Sequence, residues 1–392
     1  MRIIQINSVF GRGSTGRIAA NIHNFLKQEG YESYVFYGRG KKSKQDNVKK
    51  FGNNISFIIH VILSRLFDMH GLSSHHSTKK MIKNIDSIRP DVIHLHNIHG
   101  YYLNFNLLFK YLKKNFDGKI IWTLHDCWSF TGHCAYYTFA NCDKWNTKCH
   151  DCPEIKSYPK SLTDHSEKNF IMKKKTFSGL KNLTIVTPSL WLNLELNKSF
   201  LSQYNKMVIN NGVDTSIFTK RVSALRERFN IQKKFIILGV ANIWDKRKGL
   251  KYLIELSKII SDTEVIIIIG LTKSQIRVLP KNVIGIERTE NSIELAEFYS
   301  ISDVYVNPTL EDNYPTTNLE ALCCETPVIT FNTGGSPEMV GMNGIILNEK
   351  TANMIYDAIL RIKDGSIRFN FIKNDQLDFK YSTRKYINLY IQ

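Results

Sequence analysis

The chain has 392 residues, 43% of them hydrophobic and 22% charged, which is enough for two domains with separate cores and too apolar for a disordered chain. Fifty-three Lys and Arg against 35 Asp and Glu leave a formal net charge of +18, so the counterpart to look for is nucleic acid, an anionic membrane face or a phosphorylated small molecule. No nucleic-acid motif accompanies the charge, and the basic residues are scattered over Lys41 to Lys50, Lys79 to Lys83, Lys173 to Lys175 and Lys246 to Lys251. The reading is therefore an anionic membrane surface together with a phosphorylated ligand and no nucleic acid, with plain solubility as the alternative.

The first residues, MRIIQINSVFGRG, hold one short apolar run that enters a glycine loop. They read as a first strand, Ile3 to Asn7, and not as a signal peptide. A helix is expected from about Thr15 to Glu29. Gly11, Gly13 and Gly16 match G-x-G-x-x-G, but the second strand, Tyr34 to Tyr37, leads into Gly-Arg-Gly where a dinucleotide fold places an acid. A nicotinamide oxidoreductase thus rests on glycine spacing alone. Ile55 to Leu72 is expected to be a helix apolar almost all round and hence buried, with a lipid-contacting outer face as the lesser reading. Its most apolar part, Ile55 to Phe67, is interrupted by His60, Ser64 and Arg65 and falls short of the ~20 residues a membrane span needs.

After Pro90, Asp91 to Asn97 reads as a central parallel strand. His94 and His96 share one of its faces, and a core or cleft-edge role is preferred over a metal role because no carboxylate stands nearby. The next strand, Lys119 to Leu124, delivers His125 and Asp126 at its carboxyl end, where open α/β sheets bind ligands. Cys134, Cys142, Cys149 and Cys152 then fall within nineteen residues. Tetrahedral thiolate coordination of a structural zinc would tie this loop down. Only one C-x2-C pair is present, so reduced thiols are the competing reading. Aromatic residues from Trp128 to Trp145 crowd the same loop and suit either sugar stacking or a core. Leu183 to Thr187 is expected as the last strand of this half, and Asn-Gly-Val-Asp-Thr marks a crossing near residue 207.

Phe235 to Val240 opens the second half, followed by a basic turn, Lys246-Arg247-Lys248-Gly249, and a helix. Val265 to Ile269, Val283 to Ile286, Val304 to Val306, Val328 to Thr330 and Ile345 to Leu347 continue a strand series that alternates with helices, the pattern of a parallel sheet. Between Asp303 and Glu338 an apolar strand crosses an acidic loop and restarts as a helix, with Pro315 expected at its first position and Asn313 as cap. The N–H groups of Thr316 and Thr317 would then suit a phosphate. Glu320, one turn on, would accept from the paired hydroxyls of a ribose, and Asp312 from those of a sugar. This stretch describes a nucleotide-sugar pocket.

Asp312-x7-Glu320-Ala-Leu, followed by Cys-Glu-Thr-Pro-Val-Ile and Thr-Gly-Gly-Ser-Pro-Glu, resembles the carboxyl-terminal signature of family 4 retaining glycosyltransferases of the GT-B fold, and the resemblance runs through nearly the whole chain. Asp312 stands where the family usually has Glu. The resemblance implies two Rossmann-like domains with parallel sheets facing across a cleft: residues 1–206 on the acceptor side, 207–375 binding the nucleotide sugar, and 376–392 as a last helix crossing back to the first. It implies that Gly16 approaches the donor, that His125 hydrogen-bonds the donor sugar near the reacting carbon, and that Lys248 grips the diphosphate. Asn242 falls at or beside the place of the family's Arg, and Arg247 is expected to compensate.

The expected enzyme moves a sugar from a nucleoside diphosphate, UDP or GDP, to a saccharide acceptor, itself lipid-linked, with retention of configuration, in capsule, exopolysaccharide or lipopolysaccharide assembly. Its expected place is cytoplasmic, peripheral at the inner face of the plasma membrane. His125, Lys248 and Asp312 would carry catalysis; Gly16, Arg247, Asn313, Thr316, Thr317 and Glu320 would bind the donor. No cofactor is expected for catalysis. The alternatives are a nucleotide-sugar epimerase of the same fold and a non-enzymatic basic carbohydrate-binding protein.

Overall fold

The computed structural model describes residues 1–371 and 374–392. The chain forms two units, Met1–Asn210 with Ser382–Gln392, and Asn211–Tyr381.

In the first unit the strands are β1 (Arg2–Val9), β2 (Glu32–Arg39), β3 (Val48–Lys50), β4 (Val92–Leu95), β5 (Lys119–Thr123), β6 (Leu183–Thr187) and β7 (Asn205–Val208). They make one parallel sheet in the order β3-β2-β1-β4-β5-β6-β7. Its helices are α1 (Gly13–Gln28), α2 (Asn54–Phe67), α3 (His75–Ile88), α4 (Phe105–Asn115), α5 (Ser166–Phe177) and α6 (Leu190–Asn197). β1 is buried on both faces, as a central parallel strand must be. Ile4, Ile6, Ile93 and Trp122 pack on one face with α4, while Ile3, Val92 and Ile121 pack on the other with α1 and the last helix. The period of two therefore puts Gln5, His94 and Thr123 on that second face, all buried.

The second unit holds α7 (Leu225–Arg228), β8 (Phe235–Val240), α8 (Leu250–Leu256), β9 (Glu264–Ile269), α9 (Lys273–Ile276), β10 (Val283–Ile286), α10 (Ser292–Ile301), β11 (Val304–Asn307), α11 (Thr316–Cys323), β12 (Val328–Phe331), β13 (Gly344–Leu347) and α12 (Ala352–Lys363). Its parallel sheet runs β10-β9-β8-β11-β12-β13. Ile266 and Ile268 pack with Leu253 of α8 and Ile355 and Ile359 of α12, and Ile267 and Ile269 with Phe298 of α10 and Leu319 of α11. Each such buried aliphatic contributes roughly 1.5–3 kcal/mol. The final helix, α13 (Phe379–Ile391), places Tyr386 and Tyr390 against the first sheet, and Lys119 Nζ donates to the carbonyls of Leu389 and Tyr390 near its carboxyl end at 3.1 and 3.0 Å.

The expected strands are present, with two the sequence reading missed: β3 and β7, both short edge strands. Helix α2 overturns an expectation. It ends at Phe67, and its buried residues are His60 and Ser64, while Ile55, Ile58, Ile59 and Ile62 are exposed. Hydrogen bonding dictates this orientation. His60 Nδ1 pairs with the Ser74 hydroxyl at 2.8 Å and its Nε2 accepts from Gly71 N–H at 3.1 Å, while Ser64 donates to the His60 carbonyl at 2.7 Å. Turning the apolar face inward would take His60 away from the Ser74 hydroxyl and the Gly71 N–H and leave those two groups without that partner. Among the described residues no helix is long and apolar enough to cross a membrane.

Candidate active site

In the second unit the chemistry collects at the carboxyl ends of β8 and β11. After β8 the chain makes a short 3-10 turn, Lys246–Lys248, capped by Asp245, whose Oδ1 accepts from Lys248 N–H at 3.0 Å. The turn closes at Gly249, in the left-handed region at φ +76°, where a Cβ would sit 2.0 Å from the Pro308 carbonyl oxygen. Only glycine fits there. The same logic acts at Gly334 (φ +56°), where a Cβ would sit 2.0 Å from the Asp312 carbonyl oxygen. Two glycines thus clamp the loop after β11 between two other turns.

That clamp brings Lys248 Nζ within 2.5 Å of Asp312 Oδ2, with Arg247 Nη1 3.7 Å from the same oxygen. Arg247 also donates to the Glu311 carbonyl at 2.5 Å. Burial pushes the Asp312 carboxyl up, but Lys248 and then Arg247 outweigh it and hold it below the usual carboxylate range. Lys248 and Arg247 meet on the one carboxylate of Asp312, and Arg247 also lies 3.9 Å from Asp245, so an anionic ligand would reach both cations by displacing carboxylates.

Helix α11 begins at Thr316 with Pro315 in the cap position and no side-chain cap. Asn313 is therefore not the cap expected from the sequence; its N–H turns back to Asp312 Oδ1 at 2.9 Å, inside the loop. Thr316 and Thr317 occupy the first turn. Glu320 is 2% exposed and accepts from the Tyr299 hydroxyl at 3.2 Å. Asn318, buried beside it, accepts from Asn307 at 2.7 Å and donates to Ser336 at 3.2 Å, so one amide ties β11, α11 and the turn at Ser336–Met339 together. The sequence reading missed Tyr299 and Asn318. Tyr299 lies remote in sequence with no motif around it; Asn318 is a polar residue at a position α11 buries, and that mismatch is a usable signal.

In the first unit β5 delivers His125, and a line of neutral groups orients it. Gln5 Nε2 donates to the Ala19 carbonyl at 3.2 Å, so its Oε1 faces His96 Nε2 at 3.1 Å. His96 Nε2 must then carry the proton, which makes its Nδ1 the acceptor for His125 Nε2–H, also at 3.1 Å. His125 is left with Nδ1 as an acceptor, able to take a hydrogen bond from a hydroxyl. Burial pushes His125 down to about 4, with Asp126 pulling it back and His99 lowering it further, so the ring is neutral near pH 7. Asp126 is engaged by His99 Nε2 at 3.0 Å and by Trp128 N–H at 3.0 Å. His94, on the same face, pairs with the Tyr390 hydroxyl at 2.7 Å and Thr123 at 2.8 Å, a structural role in the core. Gln5 was overlooked, though a polar residue inside an apolar strand marks it.

Gly16 is buried, and a Cβ there would meet Val9 Cγ2 at 3.0 Å and Gly11 N at 3.3 Å, while the Gly11 N–H donates to the Gly16 carbonyl at 2.9 Å. Its small size serves the closure of the β1–α1 turn. Cys134, Cys142, Cys149 and Cys152 gather in one loop region, yet among the described residues no three His, Cys, Asp or Glu side chains are grouped to hold a metal ion. The Cys134 and Cys152 thiols share a hydrogen bond, and Cys149 Sγ accepts from Gly132 N–H at 3.1 Å. Lys173, buried beneath, donates to the Trp128 and Thr131 carbonyls at 2.7 and 3.0 Å and braces this loop from inside.

Residues 15–217 match the family described as Glycosyltransferase Family 4, and residues 234–364 match Glycosyl transferases group 1. WcaC of Escherichia coli (strain K12), named as a colanic acid biosynthesis glycosyl transferase, is 25% identical over 362 residues, covering 88% of this chain and 86% of its own. Among solved structures, sucrose-phosphate synthase from Thermosynechococcus elongatus superposes with a TM-score of 0.74 at 15% identity over 100% of this chain and 98% of its own. HepE from Anabaena, in complex with UDP and glucose, gives 0.68 at 15% identity over 99% of each chain. With two parallel-sheet Rossmann-like units and a family match over more than half its length, the chain is a member of glycosyltransferase family 4 with the GT-B fold.

Proposed function

We propose that this glycosyltransferase moves a sugar from a nucleoside diphosphate to a saccharide acceptor, itself lipid-linked, with retention of anomeric configuration, in the assembly of a cell-surface polysaccharide. The observation that carries the reading is the Lys248–Asp312–Arg247 cluster at the ends of β8 and β11. Lys248 is held by a single carboxylate, and an arriving diphosphate competes with Asp312 for it. Lys248 and Arg247 then meet the charge that grows on the leaving diphosphate, with the first turn of α11 adding its dipole. Glu320 is read as the ribose ligand and His125 as the group that accepts from a hydroxyl of the donor sugar. Gly16, Asn313, Thr316 and Thr317 complete the donor set.

The HepE complexes with UDP and with UDP-glucose favour a uridine donor over a guanosine one. The colanic acid name of WcaC supports a polysaccharide acceptor, and with a lipid-linked acceptor the enzyme would work at the cytoplasmic face of the membrane. The test is a panel of UDP- and GDP-sugars screened for protection against thermal unfolding. A ligand at about 100 times its dissociation constant adds about 2.7 kcal/mol. UDP-sugars are expected to raise the transition in wild type and not in Lys248→Ala; a panel without any stabilising sugar nucleotide rules the reading out.

A further inference from the structure

The carboxyl edge of the first sheet holds a cation that no acid answers. Arg39 is the last residue of β2, level with Val9 at the end of β1. It is half-buried, and among the described residues its guanidinium makes no hydrogen bond and no ion pair. Gly100, in the loop after β4, leaves it open. There φ is +106°, and a Cβ would stand 3.1 Å from Ser8 Cβ and 3.9 Å from Arg39 Cζ. Any side chain at 100 would be strained and would lie against the guanidinium. Tyr101 comes next, also left-handed at φ +68°, a conformation few residues other than glycine adopt. Its ring stands 4.7 Å from that of His70 and 6.2 Å from that of Tyr158. Backbone held in this way collects at ligand sites.

This corner is continuous with His125. Tyr158 Oη lies 3.2 Å from His99 Nδ1, His99 Nε2 lies 3.0 Å from Asp126 Oδ2, and Asp126 follows His125 in the chain. Burial pushes the hydroxyls of Tyr101, Tyr102 and Tyr158 up, and the Arg39 charge pulls each of them back. Arg65 acts on Tyr101 in the same sense. Asp126, the acid that bears on Tyr158, is already engaged by His99 and by Trp128 N–H. His70 accepts from Gly100 N–H at 3.1 Å on Nε2, so its proton sits on Nδ1, which is buried with no partner. The corner therefore holds donors and positive charge and is short of acceptors. An anion carried on a sugar supplies both needs, since a guanidinium takes two oxygens of a carboxylate or phosphate and aromatic rings take the apolar face of a sugar.

We propose that Arg39, with Tyr101 and Tyr158, forms a subsite for an anionic group, a carboxylate or a phosphate ester, on the acceptor saccharide. The inference rests on the transferase reading above, in which Lys248 and Arg247 of the second unit take the donor's diphosphate, so that the anion here belongs to the other substrate. The full chain, without donor, is titrated at constant ionic strength with methyl uronides, hexose 6-phosphates, the neutral methyl hexosides and inorganic phosphate. Wild type is expected to bind a uronide or a sugar phosphate at least roughly tenfold tighter than its neutral counterpart, the worth of a charge-assisted hydrogen bond. Preference for uronides assigns a carboxylate, and preference for the phosphates a phosphate ester. Arg39→Gln should lose the preference, and Arg39→Lys should keep part of it, because the charge stays while the fork is lost. Both variants should keep the wild-type thermal midpoint and the protection given by whichever UDP-sugar stabilises wild type, which shows that they fold and still bind donor. The proposal is overturned if wild type shows no preference or if Arg39→Gln retains it. It is equally overturned if inorganic phosphate binds as tightly as the sugar anions, or if UDP competes with them. Preference that depends on Arg39 in a chain that no sugar nucleotide protects would uphold the subsite and remove the donor reading alone.

Discussion

All twelve histidines of the chain lie between His23 and His165, inside the first unit, and the second unit has none. The two candidate clusters are accordingly built on different physics. In the first unit Gln5, His96 and His125 are aligned by neutral hydrogen bonds under burial, which fixes a tautomer. In the second, Lys248, Arg247 and Asp312 are aligned by charge at partly exposed positions. A neutral relay holds one atom ready in a set direction; a charge cluster holds a field that an incoming anion can take over. The first is sensitive to acid and the second to loss of a single charge.

The largest effect expected is on the charge cluster. Lys248→Ala removes the cation 2.5 Å from Asp312 and leaves Arg247 at 3.7 Å, so the leaving diphosphate loses its nearest donor. Transfer measured by release of nucleoside diphosphate should fall about 100- to 1,000-fold. Stability should change by less than about 1 kcal/mol, because the pair is partly solvated. Glu320→Ala is expected to lower transfer strongly as well, though by no more than Lys248→Ala. Near-normal turnover by both variants would remove the pocket from the second unit.

Acid should break the comparison from the other side. His94 is pushed down to about 3 and His125 to about 4, both chiefly by burial, and His96 falls in the same direction. The unfolded chain takes up protons on these groups below its ordinary value of about 6.5, while the folded unit resists until about 4. Stability contributed by each such group is therefore complete above pH 6.5 and is lost as pH falls toward 4, about 3 kcal/mol for a group such as His125. The second unit has no group of this kind; there Asp312 is held below its ordinary value, so its contribution is lost only in the carboxylate range. Hydrogen exchange at pH 7 and pH 5 should show protection dropping in β4 and β5 while β8 and β9 keep theirs. Equal loss in both units would refute the contrast.

The continuous apolar runs of β1, β4 and β8 and the glycine-bounded turns made the two sheets legible in the residues themselves. Edge strands β3 and β7 were not legible, because three or four residues with one solvated face carry little pattern. The inversion of α2 was hidden for a different reason: burial of His60 is decided by a donor and a hydroxyl in residues 71–74, which no helical periodicity reports. Asp312 and Glu320 stood out by their spacing after β11, and Lys248, after β8, by the resemblance alone. Gln5 was marked only as a polar residue inside an apolar strand, with its partner 91 residues away, and Tyr299, 21 residues from Glu320, carried no mark at all.

A smaller effect is expected at the relay. Gln5→Met removes the acceptor that sets the His96 tautomer while keeping the volume of the buried side chain. His125 should then sample both tautomers, visible as averaged nitrogen shifts of its ring. The expected result is a kcat about tenfold lower with an unchanged KM for donor, the cost of about one hydrogen bond. A merely structural role for Gln5 would instead lower the thermal midpoint and leave the His125 nitrogens as in wild type.

The smallest effect belongs to Tyr299. Its hydroxyl, fully buried, donates to Glu320 Oε2 at 3.2 Å, a length at the weak end for an O–H donor. Tyr299→Phe keeps the ring packed between Phe218 and Tyr305 and removes only that donor, so Glu320 keeps its place and loses part of its orientation. A net hydrogen bond of about 1 kcal/mol corresponds to about fivefold, expected as a rise in KM for donor with kcat intact, because the interaction is the same in the ground and transition states. A kcat lowered a hundredfold would instead tie the Tyr299 hydroxyl to the reacting groups and make the second unit, like the first, dependent on a neutral hydrogen bond.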